Sequence, residues 1–195
     1  MVFGFAVILK QEDIEAYEER YKKKLVILGS GIYGMVVNDT AKKTGIFDDI
    51  VFINENFACV IPMCRKFIEY NNVYIHIFPA FVNKYIRLYW LNTIKNEGFL
   101  IPNIVHPSAK ISSSAKICEG CFIGKKTVIG SNVVIERGSI VSANVLIEHD
   151  SHIGEFSYIS MGVVLKFGSH VGRMTEIRPG KTFPNTYPYY FEVGV

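Results

Sequence analysis

The chain has 195 residues, of which 49% are hydrophobic and 20% charged, and its net charge is +3. This length fits one or two domains, and the composition is typical of a globular protein and excludes a disordered one. The small positive charge does not favour nucleic acid as a partner.

The apolar start of the chain is not expected to be a targeting or membrane segment. Residues 1–9 are mostly apolar, but they are too few to span a bilayer and lead into Lys10 and an acidic stretch. With four cysteines and no export signal, the prediction is a cytoplasmic protein with reduced thiols. Residues 12–21 are predicted to form a short charged helix to which no role is assigned.

Strands and helices then alternate over some 80 residues. The predicted elements are a buried strand at 25–28, a helix from the following glycine turn to about Lys43, strands at 50–53 and 73–78, and helices at 63–70 and 83–96. The last helix is predicted from the helical periodicity of Ile86, Tyr89, Trp90 and Ile94. This alternation predicts a small parallel α/β unit that ends near Pro102.

A six-residue period governs the chain from Val105 to Phe183 without a slip. An aliphatic or aromatic residue opens every hexad, and a small or β-branched residue stands four places later in twelve of them. Such a period marks a β-solenoid, in which three hexads close one triangular coil and residues 18 apart lie over one another. About four coils are expected, each rising about 4.8 Å, and the spacing itself does not set their handedness.

The glycine-rich turn after the first strand fits the pattern G-x-G-x-x-G, with Gly29, Gly31 and Gly34 as its glycines. These glycines and the helix N-terminus that follows favour a phosphate-bearing ligand, and Glu55 stands where a ribose-binding carboxylate is expected. A nucleotide or nucleotide-sugar site and a tight turn required for packing both remain open. A dinucleotide site is disfavoured, because only one βαβαβ half fits before Pro102.

His149 is the sharpest chemical candidate in the hexads. It lies two residues after an inward position and is flanked by Glu148 and Asp150, so its side chain is expected to be off the core. An imidazole beside carboxylates suits a general base, with Asp150 or Glu148 orienting the ring. The alternative is a surface histidine in a solvated corner.

The remaining metal-type residues are assigned to structure. His152 and His170 are 18 residues apart and are expected to stack, and their column offers no third ligand for a metal. Cys118 and Cys121 form a C-x-x-C without a second pair, and Cys121 falls in the small inward column, which favours a core position. The sequence therefore predicts no metal site.

The order of these parts resembles one family closely. A glycine-turn α/β unit, the segment His106-Pro107-Ser108-Ala109, the hexads, and Glu148-His149-Asp150 followed by Ile153-Gly154-Glu155-Phe156-Ser157 resemble the sialic-acid and bacillosamine-type sugar O/N-acetyltransferases. The resemblance covers about residues 24–181. It implies an α/β Rossmann-like domain over residues 1–103, a left-handed parallel β-helix over 104–183 and an aromatic tail over 184–195.

The resemblance also implies a reaction. His149 is expected to be the general base and Asp150 its partner, in direct transfer from acetyl-CoA to an amine or hydroxyl of a sugar or nucleotide-sugar in surface-glycan synthesis. Gly29, Gly31 and Glu55 are expected to contact the acceptor. A homotrimer with coenzyme A between neighbouring prisms is implied, and no residue of this chain is assigned to coenzyme A.

The chain departs from the family pattern at four places. Ile32 and Tyr33 replace a glycine and a histidine of the turn, Asn54 replaces an acid, Tyr158 replaces a histidine, and the aromatic tail replaces further coils. The alternative function is therefore a trimeric nucleotide-sugar-binding or scaffold protein that has lost coenzyme A. A γ-type carbonic anhydrase on the same helix is a third, weaker hypothesis, which the missing third histidine disfavours.

Overall fold

A computed structural model describes residues 22–53, 61–62, 64–65 and 73–186. Three sequence predictions lie outside the described residues: the helix at 12–21, the acceptor contact of Glu55 and the aromatic tail beyond residue 186. The predicted helix at 63–70 is described only at residues 64 and 65, which are helical. None of the helices in the described ranges is long and apolar enough to cross a membrane.

The N-terminal unit is a three-stranded parallel sheet with helices in its connections. Its elements are β1 (Lys22–Leu28), α1 (Ile32–Thr44), β2 (Asp49–Ile53), β3 (Val73–Pro79) and α2 (Lys84–Asn96), and the strand order is β2-β1-β3. The α/β alternation predicted from the sequence is thus confirmed at each of these elements. Gly45 ends α1 in the left-handed conformation (φ 67°), and the Asn83 side chain caps α2.

The buried face of α2 contains only part of its apolar residues. The structure buries Arg87, Trp90, Leu91 and Ile94, while Ile86 and Tyr89 are exposed. Two of the four residues that carry the helical periodicity therefore face the core. Apolar spacing alone could not place Arg87 inside, because burial of a guanidinium depends on distant carbonyl groups that satisfy it.

The second unit is a three-sided parallel β-helix built of fourteen two-residue strands. They are β4 (Ile104–Val105), β5 (Lys110–Ile111), β6 (Lys116–Ile117), β7 (Phe122–Ile123), β8 (Val128–Ile129), β9 (Val134–Ile135), β10 (Ile140–Val141), β11 (Leu146–Ile147), β12 (His152–Ile153), β13 (Tyr158–Ile159), β14 (Val164–Leu165), β15 (His170–Val171), β16 (Glu176–Ile177) and β17 (Thr182–Phe183).

These strands pair in parallel with partners one coil away and form three faces. Face 1 contains β4, β7, β10, β13 and β16; face 2 contains β5, β8, β11, β14 and β17; face 3 contains β6, β9, β12 and β15. Two faces therefore carry five strands, slightly more than the four coils expected. The arrangement is consistent with the left-handed β-helix that the resemblance implies.

The core of the β-helix is the double column that the sequence predicts. The second residue of each strand points inward, and buried residues from the small column, such as Cys121, Val133, Val145 and Val163, pack between these openers. Buried hydroxyl groups in the same column donate across the corner; Ser139 Oγ, for example, lies 3.1 Å from the Gly154 carbonyl oxygen. The small column thus fills the corners and satisfies their backbone.

The α/β unit packs on face 1. The outward residues Ile104, Phe122 and Ile140 join Leu25 and Ile27 of β1 in one buried cluster. Burial of five such side chains contributes on the order of 1.5–3 kcal/mol each to folding before entropy is counted. Face 1 is therefore an internal interface, whereas the outward residues of face 2 remain open.

Arg87 ties the two units together by hydrogen bonds. The side chain is only 1% exposed, and its Nε donates to the Gly138 carbonyl at 2.6 Å while Nη2 donates to the Phe156 carbonyl at 2.8 Å. Its Nη1 donates to the carbonyls of Phe81 and Val82, at 2.7 and 2.8 Å, just before α2. One guanidinium, with its five fixed donors, therefore satisfies buried carbonyls in both units.

Candidate active site

His149 stands on the corner between face 2 and face 3, directly after β11. Its side chain is 54% exposed, and Nδ1 lies 2.7 Å from Oδ2 of Asp150. An ionised carboxylate only accepts hydrogen bonds, so Nδ1 donates and the neutral ring carries its lone pair on Nε2. The corner thus presents a basic nitrogen at the surface of the β-helix.

Asp150, and not Glu148, orients the ring. Asp150 turns the corner in the left-handed conformation (φ 58°) and accepts a second hydrogen bond from Asn132 Nδ2 at 3.0 Å. These two bonds, first that of His149 and then that of Asn132, hold the pKa of Asp150 below its usual range. The Glu148 carboxylate instead accepts the backbone N–H of Phe167 at 2.8 Å.

Phe167 is a residue of this site that the sequence interpretation missed. Its ring lies parallel to the His149 ring, with 5.5 Å between centroids and 12° between planes. On the coil below, a Cβ at Gly130 would lie 2.8 Å from the His149 backbone nitrogen. The 18-residue spacing places His149 and Phe167 in one column, and this was the signal that could have found Phe167. The imidazole is held by Asp150 at its edge and by Phe167 on one face.

The titration of Asp150 should report these two bonds in a definite order. We expect the carboxyl group to titrate below its ordinary value of about 4, and its pKa to rise more in His149→Ala than in Asn132→Ala, because His149 is the larger cause. Carbon-detected NMR of the Asp150 carboxyl measures this directly.

The lowered pKa of Asp150 determines how its contribution to folding stability depends on pH. The contribution of Asp150 is complete above about pH 4 and is lost as the pH falls through the lowered value, so the stability gap between wild type and Asp150→Asn should narrow only in acid. A larger rise of the pKa in Asn132→Ala than in His149→Ala would contradict the assignment.

Backbone conformation and packing explain why glycine is needed at two of the three glycine positions of the turn. Gly29 has φ 101° and lies against Phe81; a Cβ added at Gly29 would stand 3.1 Å from the Phe81 ring. At Gly34 an added Cβ would stand 2.0 Å from the Gly29 carbonyl oxygen. At Gly31 nothing lies within 4 Å, and its φ of −60° is open to any residue. Of the predicted acceptor contacts Gly29 and Gly31, only Gly31 is free of a packing requirement.

Replacement of Gly34 by alanine should therefore destabilise the fold. The added methyl meets a main-chain oxygen that cannot swing away, so we expect a loss of about 3 kcal/mol in the free energy of unfolding. The matched change Gly31→Ala should cost less than about 1 kcal/mol, since Gly31 is an N-cap with open space. Urea unfolding of both variants tests the difference, and equal losses would show that Gly34 is not packing-limited.

A cleft of about 600 Å³ separates α1 from the corner that joins face 1 to face 2. It is lined on the helix side by residues 32, 35, 36, 39, 40 and 43, and on the β-helix side by His106, Phe122, Gly124, Lys125, Ser142, Ala143 and Met161. It begins one residue after Gly31. The whole width of face 2 lies between this corner and the corner of His149. The structure therefore does not bring the predicted base and the predicted acceptor glycines together within one chain.

The histidines and cysteines considered as metal ligands have structural roles. The rings of His152 and His170 stack at 4.7 Å and 7°, which confirms the predicted ladder, and His152 Nε2 lies 3.0 Å from Oε1 of Glu136. Cys121 is buried in the core, as predicted, and burial raises the pKa of its thiol to about 12. Within the described ranges, no three His, Cys, Asp or Glu side chains are gathered as metal ligands would be.

Comparisons with known proteins agree with this architecture. The family described as the GMPPB C-terminal domain matches residues 102–183, which is the β-helix. The acetyltransferase domain of PglB from Neisseria gonorrhoeae is similar over 85% of this chain and 93% of its own, with 24% identity and a TM-score of 0.63.

Two further structures come from Caulobacter crescentus. PerB in complex with CoA and GDP-perosamine is similar over 83% of this chain and 89% of its own, with 20% identity and a TM-score of 0.59. A histidine-to-alanine variant of GDP-perosamine N-acetyltransferase, in complex with the same two molecules, gives 21% identity, the same coverage and a TM-score of 0.57. The chain therefore shares, over most of its length, the fold of these solved acetyltransferase structures.

Proposed function

We propose that the protein is an acetyltransferase that uses acetyl-CoA to acetylate an amine or hydroxyl of a sugar or nucleotide-sugar. The observation that carries the proposal is the His149–Asp150 pair, which leaves the basic Nε2 of an oriented imidazole at an exposed corner. The similar structures support it, since they are acetyltransferases and two of them contain CoA and a nucleotide-sugar.

The chemistry assigned to the pair is proton transfer. Acetyl-CoA, when bound, supplies the activated acetyl group. His149 Nε2 takes the proton that the acceptor nitrogen or oxygen loses as its new bond to the acetyl carbon forms. The imidazolium then returns this proton to the sulfur that leaves, so the histidine is regenerated. Asp150, ionised throughout at neutral pH, stabilises the imidazolium and holds the ring in the productive tautomer.

A homotrimer is part of the proposal. The outward residues Val128, Leu146 and Val164 form an apolar strip along face 2, and Val128 and Leu146 are 40% and 37% exposed. Face 2 also separates His149 from the cleft beside the glycine turn, so a neighbouring copy can bring its own His149 to that cleft. Cyclic assembly buries such a strip. Light scattering should give a trimer, and a stable monomer would refute this part.

The broader assignments follow the same proposal. Residues 1–103 form a Rossmann-like acceptor domain, residues 104–183 carry catalysis and residues 184–195 form a tail. The parallel order β2-β1-β3 supports the first of these. The setting proposed is surface-glycan synthesis in the cytoplasm, and the free thiols of Cys64, Cys118 and Cys121 agree with a reducing compartment.

Calorimetry with acetyl-CoA, together with a panel of amino-sugars, sialic acid and nucleotide-sugars, tests the activity. The proposal expects acetyl-CoA to bind at micromolar to millimolar concentration and at least one acceptor to be acetylated. Absence of acetyl-CoA binding at millimolar concentration, with a nucleotide-sugar still bound, would instead establish the binding or scaffold function.

A further inference from the structure

The cleft between α1 and the β-helix changes character along its length. Its helix wall runs from Ile32 to Lys43, which are eleven residue steps or about 17 Å apart along the helix. Near the glycine turn the wall is apolar: Ile32 is 86% exposed, Met35 63%, and Met161 of the opposite wall 59%. At the other end stand Asp39, Lys43, Lys125 and His106, of which all but Asp39 are nitrogen-bearing side chains. One cleft thus offers an apolar half and a half rich in hydrogen-bond donors.

The donor-rich end carries an excess of positive charge. Lys43 Nζ lies 2.7 Å from Oδ2 of Asp39, four residues earlier on the same helix. Lys125 enters from the β-helix corner and adds a second ammonium, so two cations face one carboxylate. Exposed ammonium groups that line a cleft raise the local concentration of anionic ligands.

His106 contributes a hydrogen-bond donor rather than a third cation. Its Nδ1 lies 3.1 Å from the backbone nitrogen of Ser108 and 2.9 Å from the Ser108 hydroxyl, which itself accepts the backbone N–H of Lys126 at 3.0 Å. Nδ1 is therefore an acceptor, and the proton of the neutral ring sits on Nε2. Partial burial, and then the charge of Lys43, lower the pKa of His106 and so favour the neutral ring.

We propose that Lys43, Lys125 and His106 form a subsite for an oxyanion group of the acceptor, while the apolar half of the cleft receives its uncharged part. Two ammonium groups and one neutral N–H donor suit the several oxygens of a carboxylate or phosphate better than a neutral hydroxyl. That this ligand is the acceptor of an acetyl group rests on the proposed function. The preference of the cleft for anions does not depend on that function. We therefore expect simple neutral sugars to bind this cleft weakly.

The subsite is tested by binding, without acetyl-CoA. Three probes are titrated into the full chain by calorimetry: N-acetylneuraminic acid, which brings a carboxylate; UDP-N-acetylglucosamine, which brings a diphosphate; and neutral N-acetylglucosamine. We expect at least one charged probe to bind ten times more tightly than the neutral sugar, with an affinity that falls as salt rises. The better of the two charged probes identifies the carboxylate or the phosphate as the group recognised.

The variants locate the binding. The double change Lys43→Ala and Lys125→Ala should weaken the charged probe at least tenfold. Lys42→Ala is the matched control, because it removes the same charge from the same helix but outside the cleft, and it should change affinity less than twofold. His106→Gln can keep an N–H donor near the position of Nε2, whereas His106→Asn keeps only the acceptor for Ser108. Binding should survive the first change and weaken in the second.

The outcomes separate the subsite from the enzyme. Equal binding of neutral and charged probes, no binding of any probe, or an equal loss in Lys42→Ala would overturn the subsite, whether or not acetyl transfer is found. Charged-probe binding that depends on Lys43 and Lys125, in a protein without acetyl transfer, would retain the subsite and reject the enzymatic function.

Discussion

Replacing His149 by alanine should lower acetyl transfer by about two to four orders of magnitude. A positioned general base usually contributes a rate factor of this size. The change removes the ring that Asp150 orients at this corner. The loss should appear in kcat, because Nε2 acts on the proton that moves in the transition state. The imidazole is more than half exposed, so stability should change little. Steady-state kinetics over a panel of amino-sugars and sialic acid measures the effect.

Two further variants make the His149 result interpretable. His170→Ala is the matched control, since it removes an exposed histidine from the same β-helix one coil away, and its kcat should stay within about twofold of wild type. Asp150→Asn should fall between the two, because the amide still reaches Nδ1 but no longer stabilises the imidazolium. Unchanged turnover in His149→Ala would reject the mechanism, whatever the other variants do.

The 18-residue period of the β-helix made much of the structure predictable. It gave the inward columns, the end of the regular coils at Phe183 and the stacked rings of His152 and His170. The same arithmetic places Phe167 over His149. The period does not determine the rotation of an outward side chain about χ1, so the sequence could not predict the parallel stacking of Phe167 on the imidazole.

The helices and strands of the α/β unit were predictable, but whether its glycines bind a ligand or allow packing was not. G-x-G-x-x-G describes equally a turn that receives a ligand and a turn that lets a helix approach a strand. The 2.0 Å between an added Cβ at Gly34 and the Gly29 carbonyl decides for packing at that position. The cleft could not be foreseen either, because its two walls are about 60 residues or more apart in sequence and meet only through the packing of α1 on the β-helix.

Arg87 is expected to be the most destabilising single position outside the apolar core. Replacement by methionine keeps most of the side-chain volume but removes every donor, and leaves the carbonyls of Gly138 and Phe156 without the guanidinium that satisfies them. Hydrogen bonds to a charged group are worth about 1.5–3 kcal/mol each, and those of one side chain do not add fully. We expect a loss of about 4 kcal/mol and a fall in Tm of about 8–16 °C.

Arg65 provides the control for this loss. It is 58% exposed and pairs with Glu97 at the surface, so Arg65→Met should cost less than about 1 kcal/mol. Arg87→Lys should also be strongly destabilised, because one ammonium with three donors cannot follow the guanidinium fork to carbonyls in both units. Calorimetric melting of Arg87→Met, Arg87→Lys and Arg65→Met measures these losses of stability. If Arg87→Met melts with the wild type, the apolar contact of Ile104, Phe122 and Ile140 suffices to hold the α/β unit on face 1, and Arg87 only fills space there.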